Sequence, residues 1–304
     1  MKVFMTGGTG FVGANLTGTL LEAGHEVRIL TRPGESRRSI PAGAEVVIGD
    51  PAVRGLWQER VADHDVIVNL AGASIFSRWN DARKKQLRSS RILTTRHLVE
   101  ALGRGSGEGK LLLSTSAVGY YGFHGEEVLT ENDPPGTDFL ASLAADWERE
   151  ALAARGLGVR TVICRFGIVL GKNGGALAQM LPLFKLWAGS PLGSGRQWFS
   201  WIHEGDLAEI FLFLMEHGEI DGPVNFTAPE AVTNEKFTKT LGEVLKAPTF
   251  LPAVPGFMMK LVLGEFGDVL LKGQRVAPHK LQDAGYAFLF PSLREALADL
   301  LAKE

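Results

Sequence analysis

Three glycines near the start of the chain have the spacing of a tight turn between a strand and a helix. They lie in the segment Met5 to Gly13, which reads Met-Thr-Gly-Gly-Thr-Gly-Phe-Val-Gly. At this spacing Gly7 permits the turn, Gly10 lets the backbone approach a pyrophosphate, and Gly13 lets helix and strand pack closely. A turn without a ligand is the alternative, but the flanking strand and helix favour a dinucleotide site. The residues expected at the cofactor are Gly7, Thr9, Gly10, Phe11, Val12 and Gly13.

The residues after the second predicted strand indicate which dinucleotide binds. Glu26 to Leu30 form that strand, and Thr31 and Arg32 follow it. An NAD site usually has an acidic residue here for the ribose 2′-hydroxyl, whereas an NADP site has a small hydroxyl residue and an arginine. Thr31 and Arg32 therefore predict NADP(H). Arg37 and Arg38 either add charge to this site or are solvated loop residues.

Strand-like and helix-like patterns alternate along the chain, which is typical of a parallel sheet with helices on both faces. We predict an α/β fold with a Rossmann-type doubly wound parallel sheet and a smaller, mostly helical C-terminal substrate domain. The NADP-binding domain is expected to comprise residues 1–170 and 201–228, and the substrate domain residues 171–200 and 229–304. The predicted strands cover residues 2–5, 26–30, 45–48, 65–69, 111–113, 160–165 and 224–226, and the predicted helices cover 81–102, 138–154, 176–187 and 205–217.

Composition excludes several classes of function. The 304 residues carry a formal net charge of -2, which predicts no binding to nucleic acid or to an anionic membrane surface. The single cysteine, Cys164, lies in an apolar run, and the seven histidines have no metal-ligand spacing, so we expect neither a disulfide nor a metal site. No stretch is long and apolar enough to span a membrane, and the chain begins directly with a strand. We therefore expect a cytoplasmic protein.

These motifs resemble the extended short-chain dehydrogenase/reductases, also called the epimerase/dehydratase family. Thr6 to Gly13 is similar to the family's Thr-Gly-x-x-Gly-x-x-Gly signature, and Asn69 to Gly72 is similar to its fourth-strand motif. Ser114 to Ser116 resembles the serine-bearing fifth strand, and Trp201 to Ala208 resembles the Val-His-Val-x-Asp-x-Ala segment.

The similarity extends over nearly the whole chain and is strongest to an atypical, sugar-nucleotide-epimerase-like subgroup with a C-terminal domain of unknown function. Residues shared with the subgroup are Ser90, Arg91, Ala117 to Gly122, Trp201 to His203, Arg275, Pro278, Gly285 and Phe290. The resemblance implies NADP binding and an unassigned substrate.

The resemblance also implies cofactor contacts outside the glycine turn. These are Asp50 at the end of the third strand, Leu70, Ala71 and Gly72 after the fourth, and Gln86 and Arg91 on the following helix. For Arg91 the alternative is an exposed basic helix, since Arg83, Lys84, Lys85 and Arg88 are nearby.

The proton relay of the family is missing from this chain. The family reaction uses a tyrosine as general acid/base and a lysine four residues later. With Trp147-Glu148 as the anchor, these positions fall near Phe139-Leu140 and Leu143-Ala144. No lysine occurs between Lys110 and Lys172.

Ser116 and Tyr121 are the nearest candidates for catalysis. Ser116 stands where the family uses a hydroxyl to hold the substrate's oxygen. Tyr121 is either a relocated proton donor or, with Tyr120, aromatic lining of the cleft after the fifth strand. A phenol with a pKa of about 10 is a poor base at neutral pH unless a cation lies nearby.

The loop before the Trp-Ile-His segment is the candidate substrate pocket. Arg196, Trp198, Trp201 and His203 are either core residues or a pocket for an anionic substrate with a flat ring. Asp206 is expected to cap or orient the helix that begins near Gly205.

The sequence favours an NADP-dependent oxidoreductase that acts on a carbonyl or alcohol. One alternative is a noncatalytic NADP(H)-responsive binding protein. Another is a sugar-nucleotide epimerase or dehydratase, against which the missing tyrosine–lysine pair argues. The expected partner is an unidentified small molecule, and a homodimer is left open.

Overall fold

A parallel sheet of seven strands forms the centre of the molecule in the computed structural model, which describes residues 1–35, 40–172 and 174–302. The strand order is β11-β7-β5-β4-β1-β2-β3. The seven strands of this sheet are β1 Lys2–Thr6, β2 Glu26–Thr31, β3 Glu45–Ile48, β4 Val66–Asn69, β5 Leu111–Ala117, β7 Arg160–Phe166 and β11 Gly222–Phe226. Six further strands among the described residues lie outside it. They are β6 Val128–Leu129, β8 Ile168–Gly171, β9 Trp198–Phe199, β10 Trp201–His203, β12 Val232–Thr233 and β13 Arg275–Val276.

Helices cover both faces of this sheet. Successive residues of β1 point to opposite faces, so Met5 packs with α1 and α5 whereas Phe4 packs with α2 and α3. Ten α-helices lie within the described residues: α1 Phe11–Glu22, α2 Asp81–Leu102, α3 Phe139–Leu152, α4 Gly175–Lys185, α5 Glu204–Glu216, α6 Asn234–Leu245, α7 Gly256–Leu263, α8 Glu265–Leu270, α9 His279–Asp283 and α10 Leu293–Leu301.

The predicted Rossmann-type fold is confirmed, and the helix ends differ from prediction for local reasons. Helix α3 begins at Phe139 because the Asp138 side chain accepts hydrogen bonds from the N–H groups of Leu140 and Ala141. Helix α4 ends at Lys185, two residues early, and Trp187 has a φ of +59°, a conformation that a helix does not contain.

A second hydrophobic core lies beside the sheet and joins distant parts of the sequence. It contains Leu177 of α4, Trp201 of β10, Phe237 of α6 and Leu297 of α10. Two two-stranded pairings accompany it, namely β8 with β10 and β9 with β12. A third pairing, β6 with β13, places Leu129 and Val276 in a separate cluster with Tyr121. The division into two domains at the predicted boundaries stays a prediction.

Arg37 and Arg38 lie outside the described residues. Among the helices of the described ranges, none has the length and apolar character needed to cross a membrane.

Candidate functional site

The glycine turn is held against the end of β4. Gly7 has a φ of +74°, and a Cβ there would lie 2.7 Å from the carbonyl carbon of Leu70 and 2.8 Å from the N of Ala71. The N–H of Leu70 donates to the carbonyl of Thr6, and that of Ala71 donates to the Thr6 hydroxyl. Gly7 is therefore required both by its backbone conformation and by this close approach.

The start of α1 has room for an anion. A Cβ at Gly13 would lie 2.3 Å from the carbonyl oxygen of Gly7, so helix and turn are in direct contact. A Cβ at Gly10, in contrast, would meet only that same oxygen, at 3.3 Å, and among the residues that the structure describes the space beyond is open. No side chain caps the helix at Gly10, and its first turn has no acidic residue. Uncapped N–H groups beside open space are what a pyrophosphate requires.

Phe11 and Val12 support the turn through packing. The Phe11 ring lies against the loop after β8, where a Cβ at Gly171 would come 2.2 Å from its Cζ atom. Val12 packs against the core between the sheet and α5. Both residues adjoin the predicted phosphate position through their backbone, while their side chains point into packing contacts.

Thr31 and Arg32, at the end of β2, both donate hydrogen bonds to Glu35, a residue that the sequence did not indicate. The Thr31 hydroxyl donates to Oε2 of Glu35 at 3.2 Å, and Arg32 Nη2 donates to its Oε1 at 2.6 Å. The Arg32 hydrogen bond holds the pKa of the Glu35 carboxyl below its ordinary value. The side chain of neighbouring Asp50 accepts from the N–H of Ala52 and shapes the turn after β3.

Arg91 of α2 has a guanidinium group without an acidic partner in the described ranges. Its Nη1 donates to the carbonyl of Leu87 at 3.1 Å, and its Cζ lies 5.2 Å from the ring centroid of Trp147. Burial lowers the pKa of Arg91 to about 10. A Cβ at Gly72 would lie 3.1 Å from its Cζ, so the guanidinium adjoins the predicted cofactor segment. In contrast, Gln86 is exposed and accepts from Arg83.

Ser116 and Tyr121 lie inside a buried polar network and not on an open cleft. The Tyr121 side chain is 0% exposed; its hydroxyl donates to Oδ1 of Asn225 at 2.7 Å and accepts from Arg165 at 2.9 Å. Burial raises the pKa of Tyr121 to about 12. The Ser116 hydroxyl donates to Oε1 of Glu148 at 2.7 Å. Their catalytic assignment stays a prediction, and the contacts give both residues a structural role.

Tyr120 is the neighbouring tyrosine, and its hydroxyl is not part of this hydrogen-bond network among the described residues. Its side chain is partly buried, and the Cζ of Arg165 lies 3.6 Å from its ring centroid. Its hydroxyl has no hydrogen-bond partner among the residues that the structure describes. Near the position where the resemblance puts the family's tyrosine, α3 has Phe139 and Leu140, and the Cβ of Leu140 would be 3.5 Å from a Cβ at Gly119. Sequence spacing relative to Trp147-Glu148 was the signal for this replacement.

Trp201 and His203 serve packing and capping. Trp201 is 0% exposed, and its indole N–H donates to the carbonyl of Glu230. His203 caps α5 because its Nδ1 accepts from the N–H of Gly205, and its Nε2 lies 3.2 Å from Oδ2 of Asp299. The structure therefore places both side chains in packing contacts of the second core, and their assignment to a substrate pocket stays a prediction.

Asp206 connects α5 to the C-terminal segment. Its carboxylate accepts from the N–H groups of Leu289 at 2.7 Å and Phe290 at 2.9 Å. It thus orients this segment, and the cap of α5 comes from His203. Of the remaining pocket candidates, Arg196 is exposed and Trp198 is partly buried beneath Arg275.

Two family models match the chain. Residues 3–226 match the NAD dependent epimerase/dehydratase family, and residues 254–300 match the domain of unknown function DUF1731.

Similar proteins cover almost the whole chain. Epimerase family protein YfhF of Bacillus subtilis is 39% identical over 99% of this chain and 98% of its own length. The SDR39U1 homolog of Arabidopsis thaliana, described as chloroplastic, is 39% identical over 99% of this chain and 87% of its own. The crystal structure of human epimerase family protein SDR39U1 with NADPH has a TM-score of 0.85 and 35% identity, covering 99% of both chains.

Proposed function

The chain belongs to the NAD dependent epimerase/dehydratase family, and from this premise we propose that it is an NADP(H)-dependent oxidoreductase acting on a carbonyl or alcohol. Its resemblance to the atypical subgroup with a C-terminal domain of unknown function is confirmed by the two family matches. The observation that carries the proposal is the start of α1, where uncapped N–H groups and Gly10 face open space.

The residues present fit a dinucleotide phosphate. The turn from Gly7 to Gly13 would hold the pyrophosphate, and Thr31 and Arg32 would hold the ribose 2′-phosphate. Arg91 adds a guanidinium that has no carboxylate of its own in the described ranges, and an anion is the partner that such a group binds most strongly. The human relative at 35% identity, solved with NADPH, supports the same choice of cofactor.

When bound, NADPH supplies the hydride for a carbonyl reduction. The chain itself must then donate a proton to the substrate oxygen. Tyr120 fits this role better than Tyr121, because its hydroxyl forms no hydrogen bond to a described residue and Arg165 lies over its ring. A general acid must lie within hydrogen-bond reach of the substrate oxygen, and a hydroxyl that no described residue engages is available for that contact. Ser116 and Tyr121 would hold the Arg165 side chain in place through the buried polar network and so position Tyr120.

The experiment is a screen of ketones, aldehydes and quinones with NADPH, in which loss of the absorbance of the reduced nicotinamide measures turnover. Tyr120→Phe should lower turnover by about 10²-fold or more, the usual scale for a general acid. Tyr121→Phe is the matched control, because it removes a buried hydroxyl; it should lower the unfolding temperature and change turnover less. Equal turnover in the native protein and both variants would reject these phenols as proton donors.

A second candidate is a noncatalytic NADP(H)-responsive binding protein. It is favoured by the burial of Ser116 and Tyr121 and by the absence of lysine from α3. In that case NADPH would bind, no substrate in the screen would turn over, and the cofactor would change the protease sensitivity of the C-terminal region. A sugar-nucleotide epimerase is the weaker third candidate, since α3 contains neither tyrosine nor lysine.

A further inference from the structure

A strap formed by residues 270–276 is held between the segments that contain His124 and Ser200. On one side the carbonyl of Gly273 accepts from the N–H of His124 at 3.1 Å. On the other side the Ser200 hydroxyl donates to the carbonyl of Gln274 at 2.8 Å and accepts from the N–H of Val276 at 3.0 Å. The backbone that carries Arg275 is thus fixed from both sides.

The strap lies directly on the backbone of β9. A Cβ at Gly273 would lie 2.1 Å from the carbonyl oxygen of Trp198. The guanidinium of Arg275 stacks on this tryptophan, with its Cζ 4.6 Å from the ring centroid. Stacking on an indole face restricts a guanidinium while leaving its N–H edge free to donate.

Around Trp198 and Arg275, hydrogen-bond donors outnumber acceptors among the described residues. In the part of the chain that the structure describes, the guanidinium of Arg275 forms no hydrogen bond or ion pair besides its contact with Trp198. The indole N–H of Trp198 is buried and has no acceptor among those same residues. Nearby, Lys272 lies over the ring of Phe123, with its Nζ 5.1 Å from the centroid. A buried donor without an acceptor is costly, and this applies to the N–H of Trp198. The partly buried Arg275 and the exposed Lys272 add positive charge nearby, so an anion from outside the chain would suit this place.

We propose that Trp198 and Arg275 form a subsite for an oxyanion of the substrate, a carboxylate or a phosphate. The inference rests on the proposed function, since it assigns the subsite to that enzyme's substrate. The strap contacts His124, which follows the turn at the carboxyl end of β5, and ligands of open parallel sheets bind at that end. The arginine edge supplies two parallel donors and the indole a third. Arg275 thereby replaces exposed Arg196 as the anion-binding arginine of the pocket.

The test is a titration of the NADPH-bound protein with benzoate and with inorganic phosphate as probes. The six tryptophans produce indole N–H signals in a proton–nitrogen correlation spectrum, and Trp198→Phe identifies the signal of Trp198. We expect that signal to shift saturably with one probe or both, which shows whether a carboxylate or a phosphate fits. Benzamide, the neutral analogue of benzoate, should not shift it.

Arg275→Met keeps the apolar stem over the indole and removes the charge. It should weaken probe binding at least about tenfold, and Arg275→Lys should weaken it less. Arg196→Gln is the matched control and should bind the probe as the native protein does. An unchanged probe affinity in Arg275→Met, or no shift with either probe, would overturn the subsite.

NADPH affinity separates failure of the subsite from failure of the proposed function. The native protein and Arg275→Met should bind NADPH equally, which also shows that the variant is folded. If the native protein did not bind NADPH, the proposed function would fail, and probe binding measured without cofactor would still decide the subsite.

Discussion

Arg165 and Glu148 form a two-pronged ion pair beneath the carboxyl end of the sheet. Arg165 Nε lies 2.9 Å from Oε1 of Glu148, and Arg165 Nη2 lies 2.9 Å from its Oε2. The side chains are only 2% and 6% exposed. The same arginine donates to Tyr121, and the same carboxylate accepts from Ser116. This pair therefore determines where both hydroxyls point.

Glu148→Gln should destabilise the fold strongly, because it leaves the Arg165 charge buried without a counterion. The expected loss in the free energy of unfolding is about 3–5 kcal/mol, measured by urea denaturation. The control is the exposed pair of Arg155 and Asp221, where Asp221→Asn should cost no more than about 1 kcal/mol. Similar losses in both variants would mean that the buried pair contributes no more to the free energy of unfolding than the exposed pair does.

Arg32→Ala should remove most of the expected preference for NADPH over NADH. The charge-assisted contact to the 2′-phosphate is worth roughly 1.5–3 kcal/mol, so NADPH affinity should fall about tenfold or more. NADH affinity should stay unchanged because NADH lacks that phosphate. Titration calorimetry with both cofactors measures this, and equal affinities in the native protein would contradict the assignment.

Glu35→Gln should have the opposite effect on NADPH. The Glu35 carboxylate accepts from both Thr31 and Arg32, so it competes with the 2′-phosphate for their donors. Without its charge, NADPH should bind roughly threefold or more tightly, since about 0.7 kcal/mol corresponds to that factor. In the Arg32→Ala background the same change should bring no such gain. A gain of equal size there would assign the effect to general electrostatics.

Gly10→Val should abolish nucleotide binding while the protein stays folded. Gly10 has a φ of -80°, which any residue adopts, and a Cβ there meets only the carbonyl oxygen of Gly7, at 3.3 Å. The valine would instead fill the space expected for the pyrophosphate. Gly18→Val is the matched control on the same helix, since a Cβ at Gly18 meets nothing within 4 Å. Normal NADPH binding by Gly10→Val would reduce the motif to a turn.

Stability should decrease as the pH falls below about 6.5. Burial lowers the pKa of His203 from its ordinary 6.5, although Asp299 and Asp206 act in the opposite direction. The folded protein thus binds this proton more weakly than the unfolded chain, and protonating Nδ1 would remove the acceptor for the N–H of Gly205.

His203→Gln should therefore flatten the decline in the free energy of unfolding as the pH falls below about 6.5. Measurements on both proteins at about pH 8, where histidine is neutral, give the part of the change that does not depend on pH. Parallel pH profiles would show that other titratable groups cause the decline.

Local sequence determined the strands of the sheet, the helices α1 to α5 and the glycine turn. Alternating strand and helix patterns predicted the unit of β1 followed by α1 and the unit of β4 followed by α2. These elements were readable because a strand or a helix forms from residues that are close in the chain. The need for glycine at Gly7 and Gly13 was also readable, since a turn and a close contact within seven residues leave few alternatives.

The tertiary structure alone decided which of the candidate polar side chains are buried in contacts with other elements. Tyr121 and Ser116 turn inward because Asn225 and Glu148 reach them from other elements. Trp198 meets Arg275 only because the strap of residues 270–276 packs on β9. No local pattern predicts such contacts, because they depend on how separate elements pack, and packing is set by the shape and polarity of many side chains together.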